Sequence, residues 1–423
     1  MPTYELIVYG CQMNAYDGET LAAVMEAAGF TPSAAGDVPD VTLVYTCAVR
    51  KSATDRARGR INSLARRKQE RPDALIGVGG CWPVVAADEI KAASPHVDFT
   101  FGTTSLEQVP ALIAAARGEE TGAPAAGLPP KRQAWPRASI AIMTGCDNFC
   151  SYCVVPYARG REQSRPADEV VREVEDLLAR GFRDITLLGQ NVNSYRDGGV
   201  DFARLLARVD RLGEGFFLRF TTNHPRDFGV DVVAAMATGR NIARHLHLPL
   251  QSGSDRILAA MNRGYGAAEY AGKVAAARAA LPDLCLTTDI LVGFPGETEE
   301  DFAATLALAE DLRFDSAYTF IYSPRPGTAA AAWGDVVPRA EKVRRLQTLI
   351  AAQRDISLAI NEALVGRTVD AYVEGHSTRN ARELAARTGA NKIINFAGDY
   401  EVGARVRVCV TGGSSWNLRG APA

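Results

Sequence analysis

Long apolar runs are missing from this 423-residue chain. No stretch of eighteen or more uninterrupted apolar residues occurs, so no segment reads as a membrane-spanning helix. A secretory start is missing too: "MPTYELIVYGCQMN" has neither a basic opening nor a small-residue cleavage site, and the expected location is the cytoplasm, with no membrane partner. Charge of one sign is not in excess. Lys and Arg number 47 against 49 Asp and Glu, a net charge of -2, which excludes coating of nucleic acid through a broad positive field and leaves only local patches. The eight cysteines need not be a disulfide framework, because 47% hydrophobic content over this length builds cores without staples. Their positions point instead to metal or cluster ligation for most of them.

What is present is alternation. In residues 1–117 three short apolar runs, "YELIVYGC", "VTLVYTC" and "ALIGVGGC", alternate with helical stretches at Thr20 to Ala28, Ser52 to Gln69 and Leu106 to Arg117. This reads as a parallel α/β sheet of Rossmann or flavodoxin type. Each run closes on a cysteine: Cys11, Cys47 and Cys81. Side chains at the carboxyl ends of parallel strands converge on the crevice where such sheets bind ligands. Residues 118–138, rich in Gly, Ala and Pro, read as a linker. From 139 to 360 six strand-like runs alternate with helices such as Ala167 to Arg180, which predicts a partial TIM-type (β/α)6 barrel. Gln190, Asn191, Gln251, Ser252, Gly253 and Asp289 fall within or just beyond its strand ends, where such barrels keep their sites. Residues 361–423 carry short strands of period-two alternation with glycine turns, which predicts a small β-barrel.

The densest chemistry is "GCDNFCSYC", with Cys146, Cys150 and Cys153 and no fourth cysteine nearby. Soft thiolates select iron-sulfur clusters or zinc, and structural zinc closes with four ligands. The nearest later candidates, His224 and His245, lie on other strands and read as satisfied histidines. A 4Fe-4S cluster held by three cysteines leaves one iron open for a substrate or cofactor, which points to catalysis. A second notable stretch, residues 50–68, sets Arg50, Lys51, Arg56, Arg58, Arg60, Arg66, Arg67 and Lys68 against the single acid Asp55. It is either a solvated helix face or an anion-facing surface.

The CxxxCxxC spacing, with Tyr152 before its last cysteine and at the end of a first barrel strand, resembles the radical S-adenosylmethionine (SAM) superfamily. The resemblance implies that SAM chelates the open iron and is cleaved to a 5′-deoxyadenosyl radical. It also implies SAM contacts from "GFPGE" (Gly293, Phe294, Pro295, Gly296, Glu297) and from Tyr152, Gln190, Asn191, Gln251, Ser252 and Asp289. With "YTCAVRKSATDRARGRI", "LHLPLQSGSDRILAAMNRGY", "TDILVGFPGETEEDF" and "FIYSPRPGTAAA", nearly the whole chain is similar to the methylthiotransferases, and "GCQMN" and "TGANKIINF" are most like the MiaB-type tRNA branch.

That resemblance implies an N-terminal methylthiotransferase domain (1–117), a radical SAM domain (139–360) and a C-terminal TRAM RNA-binding barrel (361–423). Two 4Fe-4S clusters are implied, the radical SAM cluster on Cys146, Cys150 and Cys153 and an auxiliary one on Cys11, Cys47 and Cys81. Two SAM molecules, as methyl donor and as radical source, would methylthiolate C2 of N6-isopentenyladenosine at position 37 of tRNA. C2 has no acidic proton for a base to remove, which is why a radical is needed. The anticodon stem-loop is the implied partner, gripped by Arg50, Lys51, Arg56, Arg58 and Arg60 and by Arg379 and Lys392 of the TRAM barrel, with the target base splayed out. A reducing partner such as flavodoxin or ferredoxin and a sulfur carrier are implied as well.

Two positions depart from the family pattern: Tyr45 stands where Asn usually precedes Thr-Cys, and "CWPVV" replaces Cys-Met-Ala-Gln. The competing readings are a sibling enzyme acting on N6-threonylcarbamoyladenosine or on ribosomal protein S12, and a non-catalytic Fe-S RNA-binding redox sensor. Cys285 and Cys409 match no motif and read as core residues.

Overall fold

Three strands that are nearly all apolar, β1 (Thr3–Val8), β3 (Val41–Thr46) and β4 (Leu75–Gly80), lie parallel, with the short β2 (Thr31–Pro32) and β5 (Phe99–Thr100) at the edges, in the order β2-β1-β3-β4-β5. β3 and β4 are buried at every position, the mark of strands covered on both faces. Leu43 and Tyr45 face a core completed by Leu21 and Met25 of α1 (Gln12–Ala27) and Val109 and Ile113 of α4 (Val109–Arg117). Val44 faces the opposite core, with Ile61 and Leu64 of α2 (Lys51–Glu70) and Ile90 of α3 (Cys81–Ala93). This is the doubly wound flavodoxin order, whose switch point lies between β1 and β3.

The computed structural model describes residues 1–120, 127–132, 134–334 and 336–423. Of the expected linker, residues 121–126 and 133 lie outside the described ones. The chain makes two compact units: Met1–Gln133 with Thr144–Glu162 and Arg325–Ala331, and Ala134–Met143 with Gln163–Pro324 and Ala332–Ala423. The segment 144–162, which carries "GCDNFCSYC" and the short helix α5 (Val155–Arg159), therefore belongs to the same unit as the flavodoxin-like sheet.

In the second unit, strands Arg137–Ala141, Asp184–Leu188 and Phe217–Phe220 form one parallel set, and His245–His247, Cys285–Val292 and Ser316–Ile321 another. Bonding of Leu218 to Asn241 and Ala243 joins the sets into a six-strand arc. Each strand is followed by a helix: Ala167–Ala179, Phe202–Asp210, Val230–Thr238, Ala267–Ala280, Glu299–Leu312 and Arg339–Glu362. The arc is the expected (β/α)6 barrel. The final five strands, Thr368–His376, Leu384–Thr388, Ile393–Phe396, Arg405–Gly413 and Leu418–Pro422, close into a small barrel around Val373, Ile394, Phe396, Val408 and Leu418. Arg219 ties this barrel to the arc, pairing with Asp184 at 2.8 Å and donating to the carbonyls of Thr388 (2.8 Å) and Gly389 (3.1 Å).

Three expectations need correcting at element level. The first helix begins at Gln12, directly behind Cys11, eight residues before the expected Thr20. Cys81 opens α3, a helix absent from the expected stretches, with Pro83 in its first turn, where proline is tolerated. Cys409 is only half-buried, whereas Cys285 is a core residue as expected. No helix among the described residues is long and apolar enough to cross a membrane.

Candidate active site

Cys11, Cys47 and Cys81 stand just past the carboxyl ends of β1, β3 and β4, beside the switch point. Their thiols interact. The nearness of Cys11 lowers Cys47 to about 7, while Cys47 and burial push Cys11 up, and the Cys11 thiol faces Asn14 Oδ1 at 3.6 Å. Cys81 is raised by burial, partly offset by the positive charge of the nearby Arg159 guanidinium. Donors already face the sulfurs: the Val49 N–H reaches Cys47 Sγ at 3.3 Å. The turn before Cys11 demands glycine, since Gly10 sits at φ +136° and a Cβ there would stand 2.7 Å from the Cβ of Cys47. Among the described residues no group of three His, Cys, Asp or Glu is gathered tightly enough for a single metal ion. A cubane takes its thiolates at separate corners and so suits a looser donor set.

The Cys146 loop is built differently, from tight turns instead of strand ends. The Cys146 N–H donates to the Gly160 carbonyl at 3.2 Å, the Cys153 N–H to the Cys150 carbonyl at 2.9 Å, and the Ala330 N–H to the Ser151 carbonyl at 2.8 Å. Gly145 is left-handed at φ +80°, and a Cβ there would collide with the Arg161 carbonyl oxygen. Phe149 is also left-handed, at φ +46°, rare for an aromatic, with Arg161 over its ring and Tyr157 at its edge. The Asn148 amide donates to Cys146 Sγ at 3.6 Å, while burial raises that thiol. Cys146 and Cys150 are buried, and Cys153 and Tyr152 half-buried.

In the second unit, unpaired buried polar atoms mark the strand ends. Gln190 Oε1 and both amide atoms of Asn193 follow Leu188, and Asn223 Oδ1 follows Phe220; none of these atoms has a hydrogen-bond partner. Buried polar groups are ordinarily satisfied, so this set fits a polar ligand. Thr222, next to Asn223, and Gln251, past a later strand, hold left-handed backbones at φ +71° and +70°, the kind of strain that collects at binding sites. Other expected contacts are otherwise engaged. Asn191 donates to Asp227 at 2.7 Å and accepts from the His224 N–H at 3.2 Å, and Ser252 pairs with Thr305 at 3.2 Å. Asp289 is partly exposed, 3.6 Å from His247.

Within "GFPGE" the Glu297 carboxylate turns inward, accepting the Gly293 N–H at 2.6 Å and pairing with Arg345 at 2.7 Å. Phe294 is wholly buried, so the loop offers a ligand its backbone. His224 and His245 are neutral, both lowered by burial, and make polar contacts with Arg226 N–H and Thr287.

The radical SAM superfamily profile matches residues 140–309, the uncharacterized protein family UPF0004 residues 3–102, and the TRAM domain residues 362–422. A tRNA-2-methylthio-N(6)-dimethylallyladenosine synthase of Carboxydothermus hydrogenoformans is 44% identical over 99% of this chain and 98% of its own. One of the same name from Aromatoleum aromaticum is 44% identical over 97% of both. The chain belongs to this synthase family. Among solved structures, the radical S-adenosylmethionine methyltransferase TsrM of Kitasatospora setae superposes with a TM-score of 0.60 over 78% of this chain and 77% of its own, at 16% identity, a likeness of fold.

For a chain of the synthase family, the basic residues are placed unexpectedly. Much of the charge of α2 is already met: Lys51 pairs with Asp55, Arg58 with Glu89, Arg60 and Arg67 with Glu5, Arg66 with Glu70 and Lys68 with Asp98. Arg50 and Arg56 are exposed, as is Arg379 in the small barrel. Lys392 is turned inward onto Asp315 (2.7 Å) and Asn361 (2.9 Å). Sequence reasoning passed over Asn193, Asn223 and Arg159; an amide two residues past "GQN" or directly after "RFTT" carries no spacing signal of its own.

Proposed function

We propose that this synthase-family chain is a radical SAM enzyme that methylthiolates C2 of N6-isopentenyladenosine (dimethylallyladenosine) at position 37 of tRNA, with a 4Fe-4S cluster on Cys146, Cys150 and Cys153 and a second on Cys11, Cys47 and Cys81. The observation that carries it is that two three-thiol sets, each short of a fourth ligand, lie in one compact unit. When bound, the clusters and two SAM molecules supply the radical that takes hydrogen from C2 and the sulfur and methyl that replace it. The chain's own residues do the rest. Gln190, Asn193 and Asn223 offer amides to a polar ligand, "GFPGE" offers backbone held in shape by Glu297, and Val49 N–H and Asn148 donate to thiolates and so favour the ligating form. RNA contact is proposed for Arg50, Arg56 and Arg379, whose side chains are exposed, while Lys392 is turned inward onto Asp315. Tyr152, Gln251 and Asp289 remain proposed SAM contacts. The domain limits 1–117, 139–360 and 361–423, a reducing partner, a sulfur carrier and a cytoplasmic site of action belong to the same proposal.

Deleting the gene and analysing tRNA nucleosides by mass spectrometry tests the activity. 2-Methylthio-N6-isopentenyladenosine is expected to vanish while its unthiolated precursor accumulates; loss of the threonylcarbamoyl derivative instead would overturn the branch. Gly145→Ala tests the cluster loop. Its left-handed backbone costs an alanine about 1–2 kcal/mol, and the collision with the Arg161 carbonyl must also be relieved. Iron and sulfide per chain after anaerobic reconstitution are expected to fall to about the level of a Cys146/Cys150/Cys153→Ala variant. Full loading would show that the loop does not need this turn.

A further inference from the structure

Arg159 is a charged side chain in a buried position. It lies six residues beyond Cys153 at the end of α5, only 7% exposed, and it points into the flavodoxin-like half of its own unit. There it pairs with Asp17 at 2.6 Å and donates to Asn14 Oδ1 at 3.0 Å. The same oxygen of Asp17 accepts from the Tyr45 hydroxyl at 3.0 Å, and Asn14 donates to the carbonyls of Tyr9 (2.9 Å) and Thr46 (3.0 Å), the turns that lead into Cys11 and Cys47. Val154, which precedes the short helix, and Ala158 within it pack in one core with Cys81 and Trp82. The guanidinium shares Asn14 Oδ1 with the Cys11 thiol, which approaches that oxygen at 3.6 Å, and its charge also acts on the Cys81 thiol.

A buried cation is costly to desolvate, and one carboxylate offsets only part of that cost. A structural tie between α1 and α5 does not require a charge: apolar residues of similar volume ordinarily do as well. A positive charge against a cluster thiolate does have an electrostatic consequence. Reduction adds one electron, and so one negative charge, with no bond made and no proton moved. In a water-poor site that charge is stabilised by a neighbouring cation and by hydrogen bonds to the sulfurs, two of the factors that set cluster potentials.

We propose that Arg159 is a positioning residue for the Cys11/Cys47/Cys81 site: delivered by the segment that carries the CxxxCxxC motif, its guanidinium sets the reduction potential of the cluster held there, with Asp17 and Tyr45 as its fixed counter-charge and orienter. The inference rests on the proposed assignment of that triad to a cluster. Tyr45, which departs from the family pattern in sequence, is thereby given a task, the orientation of Asp17.

The test is a redox titration with dithionite and mediators, followed by electron paramagnetic resonance, on the full chain carrying Cys146/Cys150/Cys153→Ala so that only the triad's cluster is read. Arg159→Gln is expected to lower the reduced-to-oxidised ratio at fixed potential at least tenfold, a shift of about 59 mV to more negative potential for one electron. Asp17→Asn removes the counter-charge and is expected to shift the potential the other way. If Arg159→Gln loses its cluster, the shift in Asp17→Asn decides alone. Loaded variants with the parent potential would make Arg159 a structural tie and overturn the inference. A parent that holds no cluster would bring down the triad assignment, and the inference with it.

Discussion

Cys47→Ala is expected to keep reductive cleavage of SAM to 5′-deoxyadenosine near the wild-type rate and to lose methylthiolation by more than 100-fold, whereas Cys150→Ala is expected to lose both. The floor on the size follows from metal sites in general, where changing a residue that merely orients a ligand costs about 10- to 100-fold, so that losing a ligand costs more. The separation follows from the structure. Cys47 is anchored by the end of β3 and by the Val49 N–H, and the loop that carries Cys150 is held by turns closed on Gly160 and Ala330. The two scaffolds are built from different elements, so one set can be emptied with its neighbour in place. Liquid chromatography with mass spectrometry of 5′-deoxyadenosine and of tRNA nucleosides reads both quantities in one reaction. Methylthiolation surviving in Cys47→Ala would remove the triad from the reaction, and SAM cleavage surviving in Cys150→Ala would remove the motif from radical generation.

Arg345→Ala should produce the largest loss of stability. The side chains of Arg345 and Glu297 are 5% and 1% exposed, and the guanidinium also holds Glu341 at 2.8 Å. Deleting one partner of such a pair leaves an uncompensated buried charge and costs about 3–5 kcal/mol. Burial already raises the Glu297 carboxyl, with the Gly293 N–H and Arg345 acting to lower it, so removing Arg345 drives it further toward the protonated form. A protonated Glu297 accepts poorly from Gly293, and the backbone that "GFPGE" presents is loosened. The expected signature is a urea midpoint shifted down together with a raised KM for SAM. Replacing both partners at once, Arg345→Met with Glu297→Leu, should recover most of the stability but not the KM. If Arg345→Ala unfolds at the wild-type midpoint, the pair contributes nothing, and the loop owes its shape to its glycines.

Much of this was legible in the chain because the signals were periodic or dense. Fully buried strands such as "VTLVYT" read as continuous apolar runs, six repeats of strand and helix gave the barrel, and three cysteines in eight residues announced a cluster loop. What stayed hidden depended on partners distant in sequence. Nothing local distinguishes Arg159 from the surface arginines around it until Asp17, 142 positions away, comes within 2.6 Å. The basic run at 50–68 looked like an open positive face because its acids, Glu5, Glu89 and Asp98, come from other elements. Glu297 looked like a cofactor contact because spacing says nothing about which way a carboxylate turns. Cys81 closes one apolar run and opens a helix in the same residue, and the run's strand pattern gave no sign of the helix behind it.

The placement of residues 144–162 in the same compact unit as the flavodoxin-like sheet bears on modularity. By sequence, the cysteine loop falls within the radical SAM match at 140–309, as though it were heritable with the barrel. Physically, its helix α5 shares a core with Trp82 and Ile61, and Arg159 closes on Asp17. A barrel fragment beginning at residue 139 would carry the ligands without the floor they rest on. Shuffling or duplicating such a barrel alone would hand on the motif without its support, so the smallest unit that can be exchanged intact is the N-terminal half together with the loop.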